Sequence, residues 1–200
     1  MTGFRFSSKI KTCLLLGAVM LLISACEKSG GEEVTSITVQ KDGTILSHIV
    51  ESFEQGYYDS EELQQSILAE AADYNKMAGN GRINVEKIDV DSGVATVRMI
   101  YQEAEDYADF NHTVFFVGST EKAGEEYELN VVLSGAKDTN DTVGRADILA
   151  MKDYKLLITD AQEPVFLNGK AEYISDNVTV SSDRKNIQLS GDGLGYVLYR

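Results

Sequence analysis

Cys26 is the residue whose type and spacing point to the most specific chemistry. It closes the run Leu22-Ile23-Ser24-Ala25-Cys26. A branched residue, two small residues and a cysteine form the pattern on which a bacterial lipoprotein is lipidated and then cut just before the cysteine. The thiol would carry a diacylglyceryl thioether, and the freed amine would become the mature N-terminus. The upstream residues suit this role. Arg5, Lys9 and Lys11 precede an apolar run over 13–25 that is broken only by Gly17 and Ser24, and no acid occurs before Glu27. The run is shorter than the roughly 20 residues a membrane-spanning helix needs, so it fits the apolar part of an export signal. An ordinary signal-peptidase site wants small residues at −1 and −3, and here the −3 position is Ile23. The expectation is an exported protein, held by lipid on Cys26 at the outer face of a bacterial cell membrane. Two or more acyl chains, at about 0.8 kcal/mol per buried CH₂, anchor firmly where one anchors marginally.

Carboxylates are the second candidates. Glu51, Glu54, Asp59, Glu61 and Glu62 form one group, and Glu103, Glu105, Asp106 and Asp109 form another. Hydrolysis of a glycosidic bond needs two carboxylates on either side of it at a defined separation. In so acidic a chain, solvated faces produce the same clusters, and no catalytic residue is assigned from them.

Other chemistries have less support. Asp89-Val90-Asp91-Ser92-Gly93 begins like a calcium loop, but its glycine stands at position five and Ile100 occupies position twelve, where the closing glutamate belongs. A hairpin turn explains the stretch better. Asp138, Asn140 and Asp141 read as a polar loop with calcium as the sharper alternative. His48 and His112 have no histidine or cysteine near them in sequence, so no metal ligand set is predicted. Cys13 falls in the discarded signal, which leaves no cysteine for a disulfide or a thiolate nucleophile. Gly191-Asp192-Gly193-Leu194-Gly195 sits among strands, where it reads as a turn, not as a phosphate cradle opening a helix. Tyr57 and Tyr58 are candidate ligand-facing aromatics, since surface tyrosines stack on sugars or anchor partners.

The formal charge of −14 becomes −17 once residues 1–25, with Arg5, Lys9 and Lys11, are removed. Nucleic acid is therefore excluded as a partner, because phosphates need a basic surface. No cofactor is predicted. The partners expected are the membrane, through Cys26, and an envelope protein, a peptide or a glycan.

The elements that must position these residues follow from periodicity. Residues 26–36 read as the lipidated cysteine and a flexible tether. Ile37 and Val39 alternate with polar residues, Asp42-Gly43 supplies a tight turn, and 45–53 returns as a strand. Asp59 caps a helix, with Glu62 three residues on, and Leu63, Ile67, Ala71, Tyr74 and Ala78 form its apolar stripe. Gln64, Leu68 and Met77 flank that stripe, and Gly79 ends the helix. A second hairpin covers 83–101 around Asp91-Ser92-Gly93, with a bulge near Glu86-Lys87 to reconcile its phase shift. A short acidic helix over 103–110 turns Tyr107 and Phe110 inward. Strands are expected over 113–117 and 127–133, a loop over 134–144, and one or two helical turns over 146–154. Short strands then follow at 156–159, 165–167, 171–174, 178–180, 187–189 and 196–199.

The fold class expected is α+β: an N-terminal antiparallel sheet with one main packed helix, over 37–145, followed by a β-rich C-terminal part, 146–200, as a possible separate small domain. The chain resembles uncharacterised lipoproteins of anaerobic Gram-positive bacteria. The likeness rests on Lys41-Asp42-Gly43-Thr44, Tyr57-Tyr58-Asp59 before Glu61-Glu62-Leu63, Tyr107-Ala108-Asp109-Phe110-Asn111 and Tyr173-Ile174-Ser175-Asp176-Asn177. It implies surface localisation and no particular activity. The functional expectation is a membrane-anchored extracytoplasmic lipoprotein with a non-catalytic binding or interaction domain. The alternative is an extracytoplasmic, glycosidase-like hydrolase using a carboxylate pair.

Overall fold

The first strand, β1 (Ser36–Val39), turns Ile37 and Val39 inward and leaves the residues between them half-buried. It pairs antiparallel with β2 (Ile45–Ser52) across a five-residue connection, residues 40–44. Gly43 N donates to Gln40 O at 3.1 Å and Gln40 N donates to Thr44 O at 2.9 Å. Gly43 takes φ 96° while Asp42 keeps a negative φ, so one turn residue is left-handed rather than two. Asp42 instead serves through its side chain, accepting from Thr44 N and Thr44 Oγ1 at 3.1 and 2.7 Å. The structure is a computed structural model that describes residues 34–55 and 59–200. Cys26, Tyr57 and Tyr58 lie outside the described residues.

Helix α1 (Ser60–Ala78) begins where the sequence places it. The Asp59 carboxylate accepts from Glu61 N and Glu62 N, satisfying two of the amides that a helix start leaves without partners. Ala71 is buried, and Ile67 and Tyr74 pack against the core. The stripe is narrower than its periodicity suggests: Leu68 and Met77 are exposed, and so is Ala78 at the helix end. The Asn75 side chain accepts from Ile83 N and donates to Ile83 O, both at 2.8 Å, which fastens the helix to the start of β3 (Ile83–Asp91).

β3 returns as β4 (Val94–Tyr101) through Ser92-Gly93, with φ 50° and 79°. Two left-handed residues give the hairpin turn whose twist matches its strands. The register shifts between Val85 and Lys87, at the bulge expected from the phase change. Helix α2 (Ala104–Asn111) follows, then β5 (Phe115–Ser119) and α3 (Thr120–Glu126). The strand expected over 127–133 is corrected. Leu129 and Leu133 are buried in alternation, but only Leu133 onward finds a neighbouring strand, as β6 (Leu133–Gly135). β7 (Thr142–Val143), α4 (Arg145–Ala150), β8 (Lys155–Thr159), β9 (Val165–Phe166), β10 (Ala171–Ile174), β11 (Val178–Val180), β12 (Asn186–Leu189) and β13 (Gly195–Tyr199) complete the chain.

Among the described residues the strands form two sheets, ordered β11-β12-β9-β1-β2-β4-β3 and β5-β8-β13-β10-β6-β7. The fold is α+β, with an N-terminal sheet and helix and a β-rich C-terminal part. That C-terminal part does not stand apart: β9 lies parallel to β1, with Ile37 opposite Val165, and β12 continues the same sheet. From β8 to β13 the chain crosses repeatedly between the two sheets, so residues 34–200 form one compact unit. The main core fills the space between the sheets with Ile37, Ile45, Val97, Leu157, Val165, Ile187 and Val197. A second core lies on the other face of the second sheet, where Phe116, Leu156, Ile158 and Leu198 meet Ala123 of α3 and Ile148 of α4. Strand β8 is therefore apolar at consecutive positions, since both its faces are covered.

Candidate functional site

The two acidic groups read from the sequence are dispersed by the fold. In the second group, Asp106 is 2 % exposed and structural. Its Oδ2 accepts from Glu103 N at 2.9 Å, closing a capping box at the start of α2. Its Oδ1 lies 2.7 Å from Arg82 Nε and accepts from the Tyr74 hydroxyl at 3.2 Å. Burial and the Asp106 charge raise the Tyr74 hydroxyl above the usual phenol range. Glu103 pairs with Arg82, Nη2 to Oε2, at 3.2 Å, and this bond holds its carboxyl below the ordinary glutamate value. Glu105 and Asp109 are exposed. Glu103 and Asp106, through Arg82, tie α2 to the start of β3.

The first group separates as well. Asp59 caps α1, and Glu61 and Glu62 are exposed on its first turn, where the helix dipole favours acids. Glu54 packs its stem over the hairpin at Gly93, where a Cβ would come within 2.9 Å of Glu54 Cγ. Glu51 alone turns inward.

The calcium readings give way to local structure. Asp89 and Asp91 lie on β3 beside the two-residue turn, with Asp89 at 3.1 Å from Lys87 Nζ. Asp138 Oδ1 accepts from Asn140 N and Nδ2, and Asp141 Oδ2 accepts from the Tyr173 hydroxyl at 2.9 Å. Among the described residues no group of three histidine, cysteine or carboxylate side chains is placed to hold a metal ion. His48 lies on β2 opposite Ser36 and Arg98, and His112 ends α2 in a left-handed conformation. The glycine-rich stretch is the turn from β12 to β13, with Gly191 and Gly193 at φ 106° and 95°. A shallow depression of about 290 Å³ between α3 and α4, lined by Glu121, Gly124, Glu125, Leu149 and Lys152, brings together no predicted site residue.

A different place collects chemistry that the sequence scatters. Along β2 the inward residues become progressively wetter: Ile45 is fully buried, Ser47 is 5 % exposed, and Ile49 and Glu51 are half-exposed. The space between the sheets therefore opens toward Glu51. Thr35 stands at this end, its hydroxyl bonded to Val50 N and Val50 O at 2.9 Å each. Ile37 N donates to Pro164 O at 2.9 Å, so the strand pairing sets Glu163 beside Thr35. From helix α2 comes Tyr107, 6 % exposed, with its ring 4.8 Å from Phe115 and 5.1 Å from Tyr101. Asp160 lies at the end of β8, accepting from Val114 N at 2.8 Å and from the Thr113 hydroxyl.

Partial burial, and then the Glu163 charge, push the Glu51 carboxyl above the ordinary glutamate value. Burial, and then the charges of Glu163 and Asp160, push the Tyr107 hydroxyl well above the phenol range. Tyr101, buried beside it, is pushed up to about 12 by burial. Glu163 carries no motif: it is a single acid before the single proline, 112 positions after Glu51. Only the β1–β9 pairing reveals it.

No protein-family model matches the chain, and no curated protein or solved structure matches it.

Proposed function

We propose that the protein is a membrane-anchored extracytoplasmic lipoprotein whose domain binds a ligand or partner without catalysing a reaction. The observation that carries the anchor is Leu22-Ile23-Ser24-Ala25-Cys26 behind a basic stretch and a short apolar run. Cys26 carries the lipid, and the acidic domain stands off the anionic membrane surface on the residues ahead of Thr35, which is already tied to Val50. Among the described residues no helix is long and apolar enough to cross a membrane. The partner is an envelope protein, a peptide or a glycan, with Tyr57 and Tyr58 as ligand-facing aromatics. Nucleic acid is excluded by charge, and no cofactor is invoked.

The dispersal of both acidic groups supports binding over hydrolysis, since each acid has a local structural task or faces solvent. One pair, Glu51 and Glu163, supports the second reading, a glycosidase-like hydrolase, because two neighbouring acids share a half-buried mouth. Mass spectrometry of the protein extracted from bacterial membranes tests the anchor. A mature chain starting at Cys26 with a diacylglyceryl group is expected, and an unmodified chain starting elsewhere would refute it. Turnover of glycosides that is lost in Glu51→Gln would replace binding with hydrolysis.

A further inference from the structure

The outward face of the first sheet is more apolar than a face in water needs to be. Strand pairing sets Ile100, Leu46, Thr38, Phe166 and Asn186 side by side, one each from β4, β2, β1, β9 and β12. Val50 and Val94 share this face farther along β2 and β4, an even number of residues from Leu46 and Ile100. Phe166 and Val94 are exposed, while Leu46, Val50 and Ile100 are half-buried. None of these apolar side chains belongs to either core. Helices α1 and α2 pack into the core between the sheets, and α3 and α4 lie on the second sheet. Among the described residues no helix therefore covers this face. A solvated sheet face alternates apolar-in with polar-out, and here many outward positions are apolar as well.

Charge says what covers it. The chain is 25 % charged with a net −14, yet on the six strands from β11 to β4 the only charged side chain of this face is Arg98. Arg98 is already paired, Nη2 to Glu86 Oε2, at 3.4 Å. Lys87, Asp89 and Asp91 are confined to β3, the edge of the sheet. An uncharged, apolar centre with a charged rim is the pattern of a protein interface. A basic partner would be met by acids and an anionic lipid surface by free cations, and this face offers neither. Two copies of one acidic chain repel, so they can meet only where acids are cleared away. Two sheets of the same twist also stack well, at about −30° and about 10 Å apart. At about 4.8 Å per strand and about 3.3 Å per residue, the seven strands present roughly 600 Å². Two copies would bury roughly 1,200 Å², the lower end for a specific interface.

We propose that the protein forms a two-fold dimer by stacking the outward faces of two first sheets, with Leu46, Val50, Ile100 and Phe166 at its centre. The same patch serves both copies, as a two-fold interface requires. The inference goes beyond the binding reading above, and it depends neither on the lipid anchor nor on Tyr57 and Tyr58.

The test is sedimentation equilibrium of the full chain in a detergent matched to the solvent density, so that protein alone sets the mass. A monomer–dimer equilibrium that shifts with concentration is expected. Thr38→Lys/Phe166→Lys sets like charges against each other across the interface and should raise the dissociation constant at least about tenfold. Leu68→Lys/Met77→Lys adds the same charge at two exposed apolar residues of α1 and should leave the constant within about twofold. Circular dichroism checks that both double variants keep the parent fold. A second measurement needs no variant: a soluble paramagnetic reagent should broaden the methyl signals of Leu46, Val50 and Ile100 less as the parent is concentrated.

A monomer mass at every concentration up to about 1 mM would overturn the dimer. Equal weakening by the two double variants would mean association through the micelle and would also overturn it. A dimer whose three methyl signals stay open to the reagent would place the interface elsewhere. Methyls shielded in the monomer would mean that this chain covers its own face, and shielding only on adding anionic vesicles would mean a lipid surface. Either result would replace the second copy. A monomer leaves the lipid on Cys26 standing, and a chain without lipid leaves the dimer standing.

Discussion

Arg82 Nε lies 2.7 Å from Asp106 Oδ1, and that contact joins the start of β3 to the first turn of α2. Asp106 also holds Tyr74 of α1 and the Glu103 amide, so one carboxylate fixes three elements. Asp106→Ala would leave Arg82 Nε, the Tyr74 hydroxyl and the Glu103 amide without this partner, while Glu103 still holds the far end of the guanidinium. Breaking a buried pair costs about 3–5 kcal/mol, and Arg82 keeps 29 % of its side-chain exposure, so roughly 3 kcal/mol is expected. Chemical denaturation measures it, and a loss near zero would mean that water replaces the carboxylate freely.

The two faces of α1 should differ. Ile67 packs against the core but is only half-buried, so Ile67→Ala should cost about 1–2 kcal/mol, below the range for a fully buried isoleucine. Gln65 is exposed, and Gln65→Ala should cost under about 0.5 kcal/mol. Equal shifts in thermal melting would show that the helix is held by its cap and by Asn75 rather than by its stripe.

Gly93 is required by the β3–β4 turn on two grounds. Its φ is 79°, and a Cβ there would meet Glu54 Cγ at 2.9 Å. Gly93→Ala should cost about 1–2 kcal/mol from the left-handed conformation alone. The double variant Gly93→Ala/Glu54→Ala should recover only the part due to the close approach. Full recovery in a double-mutant cycle would assign the whole cost to the contact.

These local features were legible in the sequence because each is set within a few residues. The cap at Asp59, the two-residue turn and the bulge at Glu86 follow from residue types and from a break in alternation. The pairing of Ile37 with Val165 could not be read, because nothing near either residue specifies a partner so distant in the chain. Short β-strands leave topology open, and the β-rich C-terminal part looked separable for that reason. Residues 127–133 alternate as a strand does and bury Leu129 and Leu133, yet most of them have no strand to pair with. Helix α3 escaped because it buries only Thr120 and Ala123, too few for an apolar stripe. The candidate site followed the same division. Glu51 was visible as an acid in a cluster, but its neighbour Glu163 became visible only through the sheet.

Glu51 gives a prediction in pH. Its carboxyl is raised in the folded state, first by burial and then by the Glu163 charge. A raised folded value means that the folded state holds the proton more tightly than the unfolded state. Stability from this group is therefore full below the ordinary glutamate value and is lost as pH rises through the raised one. Glu70 is shifted the same way, and Glu103 the opposite way, so the total profile mixes signs. The difference between the parent and Glu51→Gln isolates one group. Denaturation between pH 4 and pH 7 should show the parent losing stability relative to the variant as pH rises (the reference carboxylate range being about 4). A parent that gains on the variant over that range would mean that Glu51 has a stabilising partner.

The proposed lipid on Cys26 is tested most directly by fractionating bacteria that produce the parent chain or Cys26→Ser. The parent should stay in the membrane pellet through a high-salt wash and enter the detergent phase on phase separation. Cys26→Ser should lose the lipid signal in mass spectrometry, and its domain should leave the detergent phase wherever the signal is removed by other proteolysis. A Cys26→Ser chain that is processed to the same N-terminal region as the parent and still partitions into detergent would mean that a lipid on Cys26 is not what holds the domain.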